Sequence, residues 1–365
     1  MALPQPEQSS DHSEYHLEET GVRVRFGVGV LKETAAEIDR LGCQRALILS
    51  TPQQSDTALS LAEEIGGHSA GVFTRATMHT PTNVSEEAVV HAKAVEADCV
   101  VSIGGGSTIG LGKAIALRTD LPQIVIPTTY AGSEATPILG QTEDGVKTTL
   151  VDDKVLPEVI LYDASLVRTL PVEMTVTSAL NAMAHAAEAL YAQNRTPEST
   201  AKAKDGLQAF VQGLPVVLKD PSDLNARQQT LFGAWLCGTV LGRVGMALDH
   251  KLCHTLGGSL NLPHADTHAI ILPHAMAFNE RTAARELAPI AEMLKASSAG
   301  QGLYHFARRL NAPLALRDLG VTDASLDHVS ELAVKNPYWN PQPVTQEDVR
   351  AMLQAAWAGD PPIHV

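Results

Sequence analysis

Residues 98–107, DCVVSIGGGS, decide the fold of the first half of this chain. Asp98–Ile103 is a short apolar, β-branched run, the pattern of a buried strand. It runs straight into Gly104, Gly105, Gly106 and Ser107, and Ser107–Arg118 continues with helical spacing. A strand that ends in glycines and opens a helix brings free backbone N–H groups and the positive end of a helix dipole to one point. Without side chains, the backbone there can approach an anion closely. Ser107 is expected to cap the helix and donate to a phosphate. The turn is not GxGxxG, so the ordinary dinucleotide fingerprint is absent. On the glycines alone, a tight turn without ligand fits equally well.

The same alternation extends to both sides. Arg45–Ser50, Ala70–Thr74, Gln123–Pro127 and Pro157–Tyr162 read as strands, and Asp56–Ile65 and Val84–Glu96 as helices. Strands alternating with helices form a parallel sheet covered on both faces. Ile138–Val151, with Glu143, Asp144 and Gly145 between two β-rich pieces, reads as a hairpin. Pro127-Thr128-Thr129 and Gly132-Ser133-Glu134 follow the strand next to the glycine turn, where parallel sheets bind ligands. After Pro171 helical periodicity takes over, in Ser178–Tyr191, Ala201–Leu214, Ala226–Leu241, Asp266–Asn279 and Glu286–Ala296. Gly257, Gly258 and Pro263 read as a loop between two of these helices. The expected fold class is an α/β N-terminal domain over 1–170, with 1–20 as a frayed leader, followed by an all-α domain over 171–365.

Composition narrows the function. The chain has 365 residues, 44% hydrophobic and 19% charged, with a net charge of −14. That is the balance of a soluble globular enzyme. The negative charge and the lack of a basic run argue against nucleic-acid or anionic-membrane partners. No apolar stretch approaches a membrane span, and no signal peptide is read at the N-terminus. Cys43, Cys99, Cys237 and Cys253 are scattered in apolar segments, as free buried thiols are, which fits a reducing, cytoplasmic compartment.

The informative histidines, of 14 in all, lie in the helical half. His250 and His254 are four apart and share a helix face. His264 follows ten residues later. Asn181 and His185 form another i, i+4 pair on an alanine-rich helix, where a buried polar pair needs partners. A lone histidine reads as a hydrogen-bonded core residue, and His268 and His274 read as structural or supporting groups.

GGGS at 104–107, PTTYAGSEAT at 127–136, NAMAHAAEALYA at 181–192 and HKLCHTLGGSLNLPHADTHAIILPH at 250–274, together with Asp163 and Leu170-Pro171, resemble the iron-containing alcohol dehydrogenase superfamily. The matches run in order along most of the chain. HKLCHTLGG, LPHADTHA and NPQPV at 340–344 look most like the maleylacetate reductase family within it. The resemblance implies an iron-alcohol-dehydrogenase-like (dehydroquinate-synthase-like) fold, with the active site between its two domains, and a homodimer. It implies NADH- or NADPH-dependent reduction of the small dicarboxylate maleylacetate to 3-oxoadipate in aromatic-compound breakdown. It places Gly104, Gly105, Gly106 and Ser107 on the pyrophosphate turn, Thr128, Thr129 and Ser133 on the nicotinamide side, and Lys147 near a ribose.

Two positions depart from metal-dependent relatives. Their aspartate ligand is Asn181 here, while His185, His250 and His264 remain. An uncharged amide is a weak ligand for a divalent ion, so no metal requirement is expected. If a metal binds, those three histidines are its expected ligands. After Arg45–Ser50 stands Thr51, where relatives often carry an acid; an acid repels a 2′-phosphate, so both NADH and NADPH are expected to bind. Hydride addition to the conjugated double bond develops charge on the ketone oxygen, which must then be stabilised. His254 and His250 are the first candidates, with His185, His264 and Asn181 completing the pocket. Arg243, Lys251 and protonated histidines are candidates for holding the substrate carboxylates. The alternatives are a metal-dependent dehydrogenase of a small alcohol or aldehyde, a lyase using NAD transiently, and a nucleotide-binding regulator.

Overall fold

In the computed structural model, which describes residues 15–19 and 21–362, nine strands precede most of the helices. The strands are β1 (Tyr15–Glu19), β2 (Val22–Gly27), β3 (Ala46–Leu49), β4 (Ser69–Phe73), β5 (Cys99–Gly104), β6 (Gln123–Pro127), β7 (Ile138–Glu143), β8 (Val146–Val151) and β9 (Val159–Asp163). The first helices are α1 (Thr34–Arg40), α2 (Ser55–Ile65), α3 (Thr82–Ala94), α4 (Gly106–Thr119) and the single-turn α5 (Ala164–Val167). Seven strands form one sheet in the order β1-β2-β9-β6-β5-β3-β4, parallel except for β1 at its edge.

Period-two alternation shows why the sheet is covered twice. Ala46 and Ile48 of β3, and Cys99, Val101 and Ile103 of β5, join Ile38, Leu61 and Ile65 of α1 and α2. Their neighbours Leu47, Leu49 and Val100 turn to the other face and meet Ala88, Ala92, Leu111 and Ile115 of α3 and α4. From β3 the chain moves outward to β4, and from β5 it moves the other way to β6 and β9. The order therefore reverses between β3 and β5, and the crevice beyond their carboxyl ends is where such sheets take ligands.

From residue 172 on, the described chain has eight α-helices: α6 (Val172–Tyr191), α7 (Pro197–Lys219), α8 (Leu224–Leu241), α9 (Leu248–Leu260), α10 (His264–Leu294), α11 (Ala299–Arg309), α12 (Ser325–Lys335) and α13 (Gln346–Ala358). Their apolar faces merge with Val22, Val24, Phe26, Ile160 and Tyr162 of β2 and β9 into one core. None of the described helices is long and apolar enough to cross a membrane. All four cysteines are buried free thiols.

Several local expectations are revised. Of the supposed leader 1–20, residues 1–14 and 20 lie outside the described residues, and 15–19 pair with β2. Gly257 and Gly258 stay helical within α9; the break falls at Asn261, which takes the left-handed conformation (φ 54°). The two helices read around residues 266–296 are both present and abut at a kink at Ala283 (φ −115°, ψ 27°), with no loop between them. Asp144 (φ 49°) and Gly145 (φ 77°) make the β7–β8 turn, both with the positive φ of a two-residue hairpin.

Two buried basic groups brace the fold, Arg227 at the junction of the halves and Lys113 within the first half. Arg227 of α8 is fully buried and donates to Pro221 O, Tyr130 Oη, Thr175 Oγ1, Arg168 O and Leu170 O. It thus holds the linker after α5, the start of α6 and the β6 loop together. Lys113 of α4 donates to Ser133 O, Thr136 O, Thr136 Oγ1 and Ile138 O, at 2.6–3.1 Å. Burial lowers its pKa to about 7, and the charge of buried Glu134 opposes that fall.

Candidate active site

The glycine turn sits at the carboxyl end of β5, and each glycine has its own reason. A Cβ on Gly104 would lie 2.4 Å from Thr108 Oγ1, and one on Gly105 would lie 2.9 Å from Thr129 Cγ2. Gly106 meets nothing within 4 Å. Its exposed backbone opens the first turn of α4, which no side chain caps. The helix therefore begins with unspent N–H groups facing open space, the arrangement that receives a phosphate. Ser107 is not the cap; the N-cap position is Gly105.

The β6 loop closes over this turn. Thr128 Oγ1 accepts from Gln54 Nε2 at 2.9 Å, linking the ends of β6 and β3. Ser133 Oγ is buried with no protein partner. Gly132 (φ 78°) packs on Gly238 of α8 so closely that a Cβ on Gly238 would lie 2.2 Å from Gly132 O. The loop is clamped between Lys113 on one side and α8 on the other.

Five imidazoles form a continuous cluster beyond the loop. Ring centroids are 5.0 Å apart for His185–His250, 4.8 Å for His250–His268, 4.5 Å for His264–His268 and 5.8 Å for His254–His264. The first half of the chain reaches the cluster at two places. His185 Nε2 donates to Ala131 O at 3.3 Å, in the loop whose Thr129 abuts Gly105. Lys147 of the hairpin adds its charge to the field at His254 and His264.

Glu188 organises the wall. Its buried carboxylate accepts from Ala247 N and Asp249 N at 2.7 Å each, from His250 Nδ1 at 2.8 Å and from Tyr191 Oη at 3.2 Å. It caps α9 from a neighbouring helix, since α9 has no cap of its own. It also orients His250, whose Nδ1–H points at Glu188 and whose Nε2 lies 2.8 Å from His185 Nδ1. Asp249 does the same for His268 at 2.7 Å, which leaves His268 Nε2 buried without a partner. Asn181 Oδ1 is likewise buried and unpartnered.

Burial, and then the neighbouring rings, push His185, His254, His264 and His268 toward their neutral forms. His185 and His268 fall well below the usual value, His264 falls to about 3 and His254 to about 4. His254 keeps a water-facing edge among crowded neighbours, so solvent moderates the effect there. Protonated histidines are therefore poor candidates for holding carboxylates, contrary to expectation.

The sequence-derived residues divide as follows. His185, His250, His254 and His264 share the cluster, and Lys251 stands beside it, its charge felt at His254. Arg243 is outside it: it pairs with Glu198 at 3.2 Å and lines a cleft with Val22, Val24 and Trp235. His274 lines another cleft with Phe278 and Met352. His268 stands inside the cluster, and Glu188 and Asp249 behind it. The spacing of His264 and His268, four apart like His250 and His254, carried that signal. Nothing local marked Glu188.

A phosphate-receiving turn at a parallel-sheet switch point, facing imidazoles on a helical lobe, defines a nicotinamide-dependent dehydrogenase or reductase. Residues 21–164 match the iron-containing alcohol dehydrogenase model and residues 175–357 its C-terminal counterpart, so the chain belongs to the iron-containing alcohol dehydrogenase family. Within it the relatives are maleylacetate reductases. The chain is 58% identical to the maleylacetate reductase of Rhizobium sp. (strain MTP-10005) over 93% of its own length and 97% of the relative's. It is 50% identical to that of Burkholderia cepacia, over 92% and 96%. The crystal structure of maleylacetate reductase from Agrobacterium tumefaciens superposes with a TM-score of 0.91 at 57% identity, covering 93% of this chain and 97% of that one. The chain is an NAD(P)H-dependent oxidoreductase of this maleylacetate reductase group.

Proposed function

We propose that the chain reduces maleylacetate to 3-oxoadipate with NADH or NADPH, late in the breakdown of aromatic rings. The observation that carries this reading is the junction of the imidazole cluster with the glycine-turn loop through His185 and Ala131, in a chain 58% identical to a maleylacetate reductase.

The free N–H groups at Gly106 and Ser107 suit the cofactor pyrophosphate, and Thr128, Thr129 and Ser133 suit its nicotinamide end, with Lys147 near a ribose. Thr51, directly after β3, carries no charge to repel a 2′-phosphate, which supports use of either cofactor. Bound there, the nicotinamide supplies hydride. The chain's residues then have to hold the enone and meet the charge that grows on its ketone oxygen. Neutral imidazoles serve as N–H donors to that oxygen. His254 and His264 fill this role, His185, His250 and His268 complete the pocket wall with N–H groups already given to Ala131 O, Glu188 and Asp249, and Asn181 offers an amide to the substrate. Lys251, beside the cluster, is the cation proposed for a substrate carboxylate; the charge of Arg243 is met by Glu198.

The donor set does not fit the metal the family name implies. Asn181 brings no charge where a carboxylate would balance the ion. Two nitrogens sharing a tetrahedral ion at 2.0–2.1 Å lie about 3.3 Å apart; His185 Nδ1 and His250 Nε2 are 2.8 Å apart and hydrogen-bond each other. Of the two converging three-group sets among the described residues, the one in the cluster is Asp249, His250 and His268, and its carboxylate already accepts from His268. We therefore propose reduction without a bound metal, by a cytoplasmic homodimer whose lobes divide near residue 170.

Following NADH absorbance on addition of maleylacetate, before and after chelation, tests the reading. Oxidation unaffected by chelator is expected. No oxidation overturns the substrate, and loss on chelation restored by iron or zinc overturns the metal-free site.

A further inference from the structure

The C-terminal segment 336–344, NPYWNPQPV, is irregular between α12 and α13, yet it is fastened to the histidine wall. Asn340 and Asn279 exchange amide hydrogen bonds at 2.8 and 3.0 Å, and Gln342 Nε2 donates to Phe278 O. Asn279 donates to Tyr191 Oη at 3.1 Å, and Tyr191 donates to Glu188, which holds His250. This chain of bonds fixes one residue of the segment, Tyr338, over α9. The Lys251 ammonium lies 5.4 Å from the centre of its ring.

The Tyr338 hydroxyl is the unusual feature. Its oxygen is shielded from water and has no hydrogen-bond partner in the protein. Buried phenols normally find one. Burial, with the negative charge of Glu188, holds the phenol well above its ordinary pKa, so it keeps its proton and is a donor. A donor without an acceptor stands beside a cation, and Lys251 directly follows His250 in the chain. A carboxylate group completes this arrangement, since it accepts from the phenol and balances the ammonium.

We propose that Tyr338 and Lys251 together form the subsite for one of the substrate's two carboxylates, and that Tyr338 is a specificity-determining residue. The inference rests on the dicarboxylate reading above. A substrate lacking that carboxylate leaves both groups unpaired, which is how a site built for a polar group rejects an analogue without it. The subsite thus selects a dicarboxylate over the simple alcohols and aldehydes taken by other members of the fold.

The test is Tyr338→Phe, assayed with wild type on maleylacetate and on the two analogues that each carry a methyl group in place of one carboxylate. The hydroxyl contacts no protein partner, so the variant is expected to melt with the wild type and to bind NADH with unchanged affinity. The kcat/KM for maleylacetate is expected to fall about 10- to 100-fold, mainly through KM, as for loss of one hydrogen bond to a charged group. For one of the two analogues the wild type and the variant are expected to be equal. Lys251→Met is expected to raise KM for the same carboxylate. Unchanged KM in Tyr338→Phe, an equal penalty on all three substrates, or a large drop in melting temperature overturns the subsite. No turnover of maleylacetate by the wild type overturns the substrate assignment instead.

Discussion

Replacing Glu188 with Gln isolates the residue that organises the histidine wall. The carboxylate is 0% exposed and accepts four donors, two on each oxygen. Gln keeps the shape but turns one acceptor into a donor. If the amide nitrogen takes the Oε2 position, Ala247 N and His250 Nδ1 lose their acceptor. If it takes Oε1, Asp249 N and Tyr191 Oη lose theirs. Each lost bond to a charged group is worth about 1.5–3 kcal/mol, so either choice costs roughly 3–6 kcal/mol. That is a large part of a total stability of about 5–15 kcal/mol. For a chain of this length it lowers the melting temperature by about 4–8 °C. Turnover should fall further than stability alone explains, because the placement of His250 and the start of α9 both depend on the lost charge. Thermal melting followed by circular dichroism, together with NADH oxidation measured well below the variant's melting point, reports both effects. A variant that melts within about 1 °C of the wild type and turns over normally refutes the role given to Glu188.

Gly238→Ala puts a methyl 2.2 Å from Gly132 O; backbone cannot yield cheaply, so a loss of about 1–3 kcal/mol is expected, with a several-fold weaker NADH affinity by fluorescence titration because Ser133 moves, and unchanged affinity would show that the loop is not held by α8. Stability should fall on acidification: His185, His254, His264 and His268 have lower pKa values folded than unfolded, so the unfolded chain binds more protons below about pH 6.5, and the loss deepens toward the folded values of about 4 for His254 and about 3 for His264. Glu134 and Asp249, pushed up by burial, act in the opposite sense but are fewer. Melting temperatures between pH 7.5 and 5 should therefore decline less steeply in His264→Gln than in the wild type, and equal slopes would contradict the assignment.

The parallel sheet was legible because β3, β5 and β6 are short apolar runs with nothing else to form, and the glycine turn because three glycines in a row have no use inside a helix. Less of the histidine wall could be read. The i, i+4 histidines marked a face, but Glu188 works across space on residues about 60 positions away, and no local pattern encodes that. Gly257 and Gly258 read as a loop because glycine is a weak helix former, yet flanking contacts kept them helical and left the break to Asn261. Arg243 and Lys251 looked alike in sequence; only the fold gave one of them Glu198 and set the other against Tyr338.

Arg227 constrains how the molecule can move. Its guanidinium spends its donors on five oxygens drawn from the linker, α6, the α7–α8 turn and the β6 loop. Displacing any of them strands a buried charge or carbonyl. The crossing near residue 170 therefore cannot shift piecemeal: a rearrangement there has to break these five bonds together.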